Sequence, residues 1–174
     1  MSYKESFDGM IVAPKKKPQL DLLTARILKN KSKYDEVSQI TNVPWYVLGA
    51  IHYRESSLNF SRHLHNGDPL TARTKHVPAG RPIKGQPPFT WVESAIDAIK
   101  LKGWDKVKDW SIENTLNLVE AYNGLGYKKK GLPSPYLWSW SDKYQKGKYV
   151  ADGKFDPNYI DQQCGAAILI KSLA

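Results

Sequence analysis

The stretch Trp45-Tyr-Val-Leu-Gly-Ala-Ile-His-Tyr-Arg-Glu55-Ser-Ser constrains this chain more than any other. It reads as a buried helix that ends by projecting one carboxylate from its apolar face. Val47, Ile51 and Glu55 fall at i, i+4 and i+8, with Leu48 beside them. Glu55 therefore continues a core stripe where a leucine would normally sit. A carboxylate in that setting resists ionising, because low dielectric disfavours the charged form. The negative end of the helix dipole pushes the same way. An acid that keeps its proton near neutral pH can act as a general acid, and cleavage of a glycosidic bond needs one. The plainer alternative is a helix-end glutamate that bends out to water or pairs with Arg54.

Length and charge narrow the classes. A chain of 174 residues is enough for one compact domain with its own core. Six tryptophans and ten tyrosines supply large rings, which fill cores and also serve as stacking platforms in sugar clefts. The net charge of +9 attracts polyanions such as nucleic acid, anionic lipid or an acidic cell wall, and disfavours a polycationic substrate such as chitosan. The basic clusters Lys15-Lys16-Lys17, Lys100 to Lys108 and Lys128-Lys129-Lys130 match no zinc-finger, basic-zipper or RNA-recognition pattern, so nucleic acid is not the expected partner. Cys164 is the only cysteine and excludes an internal disulfide. Its apolar surroundings suggest a buried, inert thiol. No segment approaches 18 consecutive apolar residues, so no membrane span or stable insertion is expected. The N-terminus lacks the apolar core of a signal peptide. The expectation is synthesis in a cytosol, with a separate membrane-permeabilising protein needed for any action outside it. No cofactor is expected, and a monomer is.

Along the chain, residues 1–18 read as an extended arm and 19–174 as one domain. Leu20, Leu23, Ile27 and Leu28 predict a first helix, and Tyr34 to Ile40 a short second one. Pro44 suits the first position of the Glu55 helix. Residues 59–88 are rich in Gly, Pro, His and Thr, with a weak strand pattern at Thr71–Val77. A long irregular segment inside a domain is usually functional, and this one follows Glu55 directly. Thr90-Trp-Val-Glu93 is a capping box before a helix. Another helix runs from Ser111 to Tyr122 and stops at Asn123-Gly124. Tyr136 to Tyr144 reads as a short helix or turn, and Lys148 to Lys154 as a loop or short strand. Asp156-Pro157 is expected to open a last helix that buries Ile160, Cys164, Ala167 and Ile168. The fold class is mainly α, with one loop-rich lobe.

Asp68, in Asn66-Gly-Asp-Pro-Leu, is the first carboxylate after Glu55. It reads either as a turn-former or as a second carboxylate across a cleft, activating water or stabilising oxocarbenium charge. Thr71 and Thr74 follow, with hydroxyls able to hold that water. All four histidines lie between His52 and His76, but their spacing matches no common zinc pattern, and no metal is expected. His65 and His76 read as cleft hydrogen-bonders or satisfied structural groups. Glu120-Ala-Tyr122-Asn123-Gly-Leu-Gly-Tyr127 ends its helix with glycines that let backbone approach a ligand, or simply stop the helix.

Arg54-Glu-Ser56-Ser-Leu-Asn-Phe60 resembles the Glu-Ser-x-Phe signature of the lysozyme superfamily, as in soluble lytic transglycosylases and goose-type lysozymes. Tyr122-Asn123-Gly124 is similar to the Tyr-Asn-Ala-Gly motif of the transglycosylases. The middle segment, His65 to Trp91, with Tyr136-Leu-Trp138-Ser and Gly147-Lys-Tyr-Val150-x-Asp152-Gly, resembles lysozyme-like proteins of phages and bacteria. The resemblance covers about residues 44–170. It implies a lysozyme-like α+β fold whose helical and loop lobes border a cleft. It further implies Glu55 as catalytic acid and Tyr122 and Asn123 as cleft residues that bind the sugar, but it does not establish Asp68 as the partner; Asp68 and Thr74 are catalytic candidates on the reading of the residues alone. Ser56, His65, Thr71, His76 and Tyr127 complete the expected substrate-binding set. The Gly-Leu-Met-Gln segment of the transglycosylases is missing here, and Asn-Gly-Asp-Pro-Leu takes its place. The expectation is peptidoglycan cleavage by a phage endolysin-like muramidase. A lytic transglycosylase, a chitinase-like enzyme and a non-catalytic wall-binding or virion module remain as alternatives.

Overall fold

Helices account for most of the regular structure in the computed structural model, which describes residues 1–174. They are α1 (Tyr3–Gly9), α2 (Lys17–Lys29), α3 (Lys31–Thr41), α4 (Trp45–Ser56), α5 (Trp91–Leu101), α6 (Ile112–Asn123), α7 (Gly126–Lys129), α8 (Pro135–Trp138) and α9 (Ala166–Leu173). Two strands, β1 (Lys148–Ala151) and β2 (Lys154–Asp156), pair antiparallel. The fold is thus mainly α with a small sheet, as the sequence predicts. No helix is long and apolar enough to cross a membrane. The chain divides into two compact units, one made of Met1–Ala25 and Ser111–Ala174, the other of Arg26–Trp110.

The 26–110 unit is built around α4. Val47, Leu48, Ala50 and Ile51 are fully buried, and Pro44 stands at the N-cap, one residue before the position expected of it. Gly49 allows close approach: a Cβ there would lie 2.7 Å from Cγ2 of Ile27. The helix ends where Ser57 turns left-handed, its N–H donating to the Tyr53 carbonyl at 2.8 Å. His52 ties this helix to its neighbours. The Tyr34 hydroxyl donates to Nδ1 at 2.8 Å, and Nε2–H donates to the Asn59 carbonyl at 3.1 Å, which fixes a neutral tautomer. Phe60 and Trp91 close around the ring, with centroids 4.5 and 4.8 Å away. Burial pushes the imidazole down to about 4.

Thr90 and Glu93 form the expected capping box at the start of α5. Between α4 and α5 the weak strand pattern at Thr71–Val77 is not realised; the segment has only an isolated bridge between Arg62 and Pro69. Four prolines lie between positions 78 and 88 and lack the N–H a ladder would require. Side chains bind the backbone instead. His63 Nε2–H donates to the Ala72 carbonyl at 2.7 Å, its Nδ1 accepts from Ser94 Oγ at 2.7 Å, and the Arg73 guanidinium reaches the Pro82 and Gly85 carbonyls.

In the other unit, residues 1–18 are not an extended arm. Ser2 and Glu5 form a capping box for α1, and a short 3-10 turn, Pro14–Lys16, leads into α2. Glu113 of α6 accepts from the N–H groups of Tyr3 and Lys4, placing a carboxylate on the positive end of α1. The last helix starts at Ala166, not at Asp156-Pro157 as expected, and Ile160 is 53% exposed. Local bonds compete with helix formation there. The buried Asp161 carboxylate accepts from Lys148 Nζ at 2.7 Å, Asp161 N–H donates to Tyr144 Oη, and Ser139 Oγ donates to the Asp161 carbonyl. Cys164 is buried, as expected. The hairpin pairs Tyr149 with Phe155 and turns through Asp152-Gly153.

Candidate active site

The site begins where α4 runs out. Glu55 lies in the last turn, one further step along the stripe of Val47 and Ile51, and is half-buried. Ser57 and Leu58 are both left-handed, so the chain reverses immediately after the carboxylate. Ser56 Oγ points back to the helix end, 3.4 Å from the His52 carbonyl and 3.3 Å from that of Asn59. Its hydroxyl thereby serves the turn, a role the sequence does not reveal.

The Asn66-Gly67-Asp68 turn presses on the same helix end. A Cβ added to Gly67 would stand 2.6 Å from the Glu55 carbonyl oxygen, and Gly67 has φ +83°. Gly67→Ala combines left-handed strain with a clash against backbone, so a loss of about 2 kcal/mol in unfolding free energy is expected by denaturant titration. Unchanged stability would show that the turn is free to move away from the helix.

Asp68 holds this loop closed. One carboxylate oxygen accepts from the N–H groups of Lys75 and His76 at 2.9 and 3.0 Å, and the other takes Nδ1 of His76 at 2.7 Å. Burial favours its protonated form, but the His76 and Lys75 donors outweigh it and hold the carboxyl down to about 2. Asn66 completes the ring, donating to the carbonyls of His76 and Val77. Thr74 is buried, with Oγ1 donating to the Pro78 carbonyl at 2.5 Å and accepting from Arg81 N–H at 2.9 Å. Its hydroxyl is committed to the loop. Thr71 and the His76 side chain are exposed.

His65 faces inward. Nε2–H donates to Asp97 at 2.7 Å, and Asp97 also takes a two-point contact from Arg81 at 3.1 and 2.8 Å. Burial pushes the imidazole down while Asp97 opposes. Ser94 Oγ lies 3.4 Å from His65 Nδ1, but Ser94 is fully buried, so this Ser-His-Asp order offers no accessible nucleophile. Asp97, Arg81 and Ser94 are the residues sequence reasoning missed. Ser94 and Asp97 are one helical turn apart on the capped helix α5, the one signal that pointed to them.

The remaining candidates belong to the other unit. Tyr122 is buried and Asn123 is exposed at the last residue of α6, where Gly124 follows with φ +129°. Tyr127 is buried and seats the hairpin. Its Oη accepts from Tyr149 N–H at 2.9 Å, and its ring meets Tyr149 at 5.1 Å between centroids. That is a structural duty, distinct from the sugar contact expected of it.

No three His, Cys, Asp or Glu side chains converge as a metal ligand set. No protein-family model matches the chain, and neither a curated protein nor a solved structure matches it.

Proposed function

We propose that the chain cleaves peptidoglycan glycan strands, with Glu55 giving its proton to the bridging oxygen between amino sugars. Host cell-wall lysis by a phage is the setting this reading fits. One observation carries it: a carboxylate stands half-buried at the end of the buried helix α4, with the Gly67 turn packed on its own carbonyl. Protonation of the leaving oxygen opens the bond through an oxocarbenium-like state. The net charge of +9 supports an anionic wall polymer as partner. Tyr122 and Asn123 are kept as sugar-binding proposals on the resemblance described above. Glu55→Gln tests the reading, through clearing of wall suspensions by a variant shown to be folded.

A second reading, lytic transglycosylase, is favoured by the state of Asp68. A carboxylate held down to about 2 by Lys75 and His76 is a weak proton acceptor for water at neutral pH. Without that base, the sugar's own 6-hydroxyl becomes the nucleophile, and Glu55 returns as base. Asp68→Asn is therefore expected to cost roughly 1 kcal/mol of stability by loosening the loop. Clearing should slow by less than about 10-fold. A larger loss in a well-folded variant would restore Asp68 as the base of a hydrolase. Mass spectrometry of the fragments separates the two chemistries: new reducing ends mean hydrolysis, and products lighter by one water mean transglycosylation.

A further inference from the structure

A cavity of about 360 Å³ lies within the unit formed by residues 1–25 and 111–174, lined by Tyr3, Glu113, Glu120, Lys128, Ser134 and Trp138 among others. Its size is in the ordinary range for small-ligand sites, about 300–1,000 Å³. One polar group in its wall, Ser134 Oγ, is buried and unspent, and a second, the Glu120 carboxylate, is spent through one oxygen only. Glu120 is 4% exposed and binds the Tyr3 hydroxyl through one oxygen at 2.6 Å, while its other oxygen takes no hydrogen bond from the chain. Ser134 is 2% exposed, and its Oγ has no partner, even though it occupies the N-cap of α8, where a serine ordinarily binds backbone. Buried polar groups are rarely left unpaired, so Ser134 Oγ calls for an occupant, and the second Glu120 oxygen stands ready to accept from the same one.

We propose that this cavity, formed by residues of this unit alone, is a saccharide-binding site that takes one neutral sugar residue. The Glu120 carboxylate disfavours an anion, and the other side chains leave no place for a cation. Glu113 spends both oxygens on the N–H groups of α1. Lys128 Nζ already stands 5.5 Å over the Tyr3 ring, so the chain itself fills the place an ammonium ligand would seek. What remains is one carboxylate oxygen to accept, one hydroxyl to donate or accept, and aromatic surface from Tyr3 and Trp138. Adjacent sugar hydroxyls and the C–H face of a pyranose match that set. The assignment stands on this cavity alone and does not depend on glycan cleavage.

Free N-acetylglucosamine, which carries no bond to cleave, is the probe, and the full chain is titrated by amide NMR. The amides of Gly131, Leu132 and Ser134 should shift and saturate in the millimolar range. Ser134→Ala removes a hydroxyl that holds nothing in the fold, so stability should be retained while these shifts saturate at about five-fold higher sugar, the worth of one hydrogen bond. Glu55→Gln should leave them intact. Absence of sugar-dependent shifts at these amides, wild-type affinity in Ser134→Ala, or loss of the shifts in Glu55→Gln would each overturn the assignment. So would methylammonium shifting them when the sugar does not.

Discussion

Glu55→Gln is expected to lower wall clearing about 10³-fold, within the range that general acid catalysis contributes, while the protein keeps its fold. Glutamine matches glutamate in shape and can still accept a hydrogen bond, but it has no proton to give to a leaving oxygen. The substitution sits at the last turn of α4, beyond the fully buried run from Val47 to His52, so the packing that defines the helix is untouched. Circular dichroism and the denaturation midpoint should therefore match wild type, and the variant should still sediment with cell walls. Clearing at the wild-type rate by a folded variant would sink the catalytic reading. Binding without clearing by both proteins would make the chain a wall-binding module.

The next largest effect is on acid stability and is centred on His52. Its folded imidazole sits at about 4 against an ordinary 6.5, because burial opposes the charge and Lys33 and Arg26 add to it. The Asn59 carbonyl opposes the shift, more than either cation adds to it but less than burial imposes. Between those values the unfolded chain binds a proton that the folded chain refuses. The stability His52 contributes is thus complete above 6.5 and is lost as pH falls toward 4, in total about 3 kcal/mol. His65 is lowered as well and acts with the same sign. Denaturant unfolding at pH 7 and pH 4 should show the wild-type loss. His52→Gln should be less stable at pH 7, where it disturbs the Tyr34 and Asn59 bonds, yet lose less on acidification. Equal acid losses in the two proteins would remove His52 as the cause.

What could be read from the chain was what its local chemistry decides. The stripe through Val47 and Ile51, the Thr90–Glu93 box and the Asn123-Gly124 stop all became the elements they predict. Helix α1 was legible too, since Ser2 and Glu5 carry the same box as Thr90 and Glu93, but proline and lysine in the following residues masked it. The start of α9 was not legible, because the residues that hold 157–165 out of a helix come from Ser139, Tyr144 and Lys148. At the candidate site, Glu55 and the Asn-Gly-Asp turn stood out by spacing. The fates of Asp68 and Thr74 did not, because they depend on partners seven or eight residues away across an irregular loop. Asp97 was more remote still, joined to Arg81 and His65 over separations of 16 and 32 residues.

The fit of Ile27 against Gly49 has an evolutionary corollary. The two positions share one volume, so neither drifts alone. A methyl gained at position 49 must be matched by loss of the β-branch at position 27, and relatives of this chain should show the two changing as a couple.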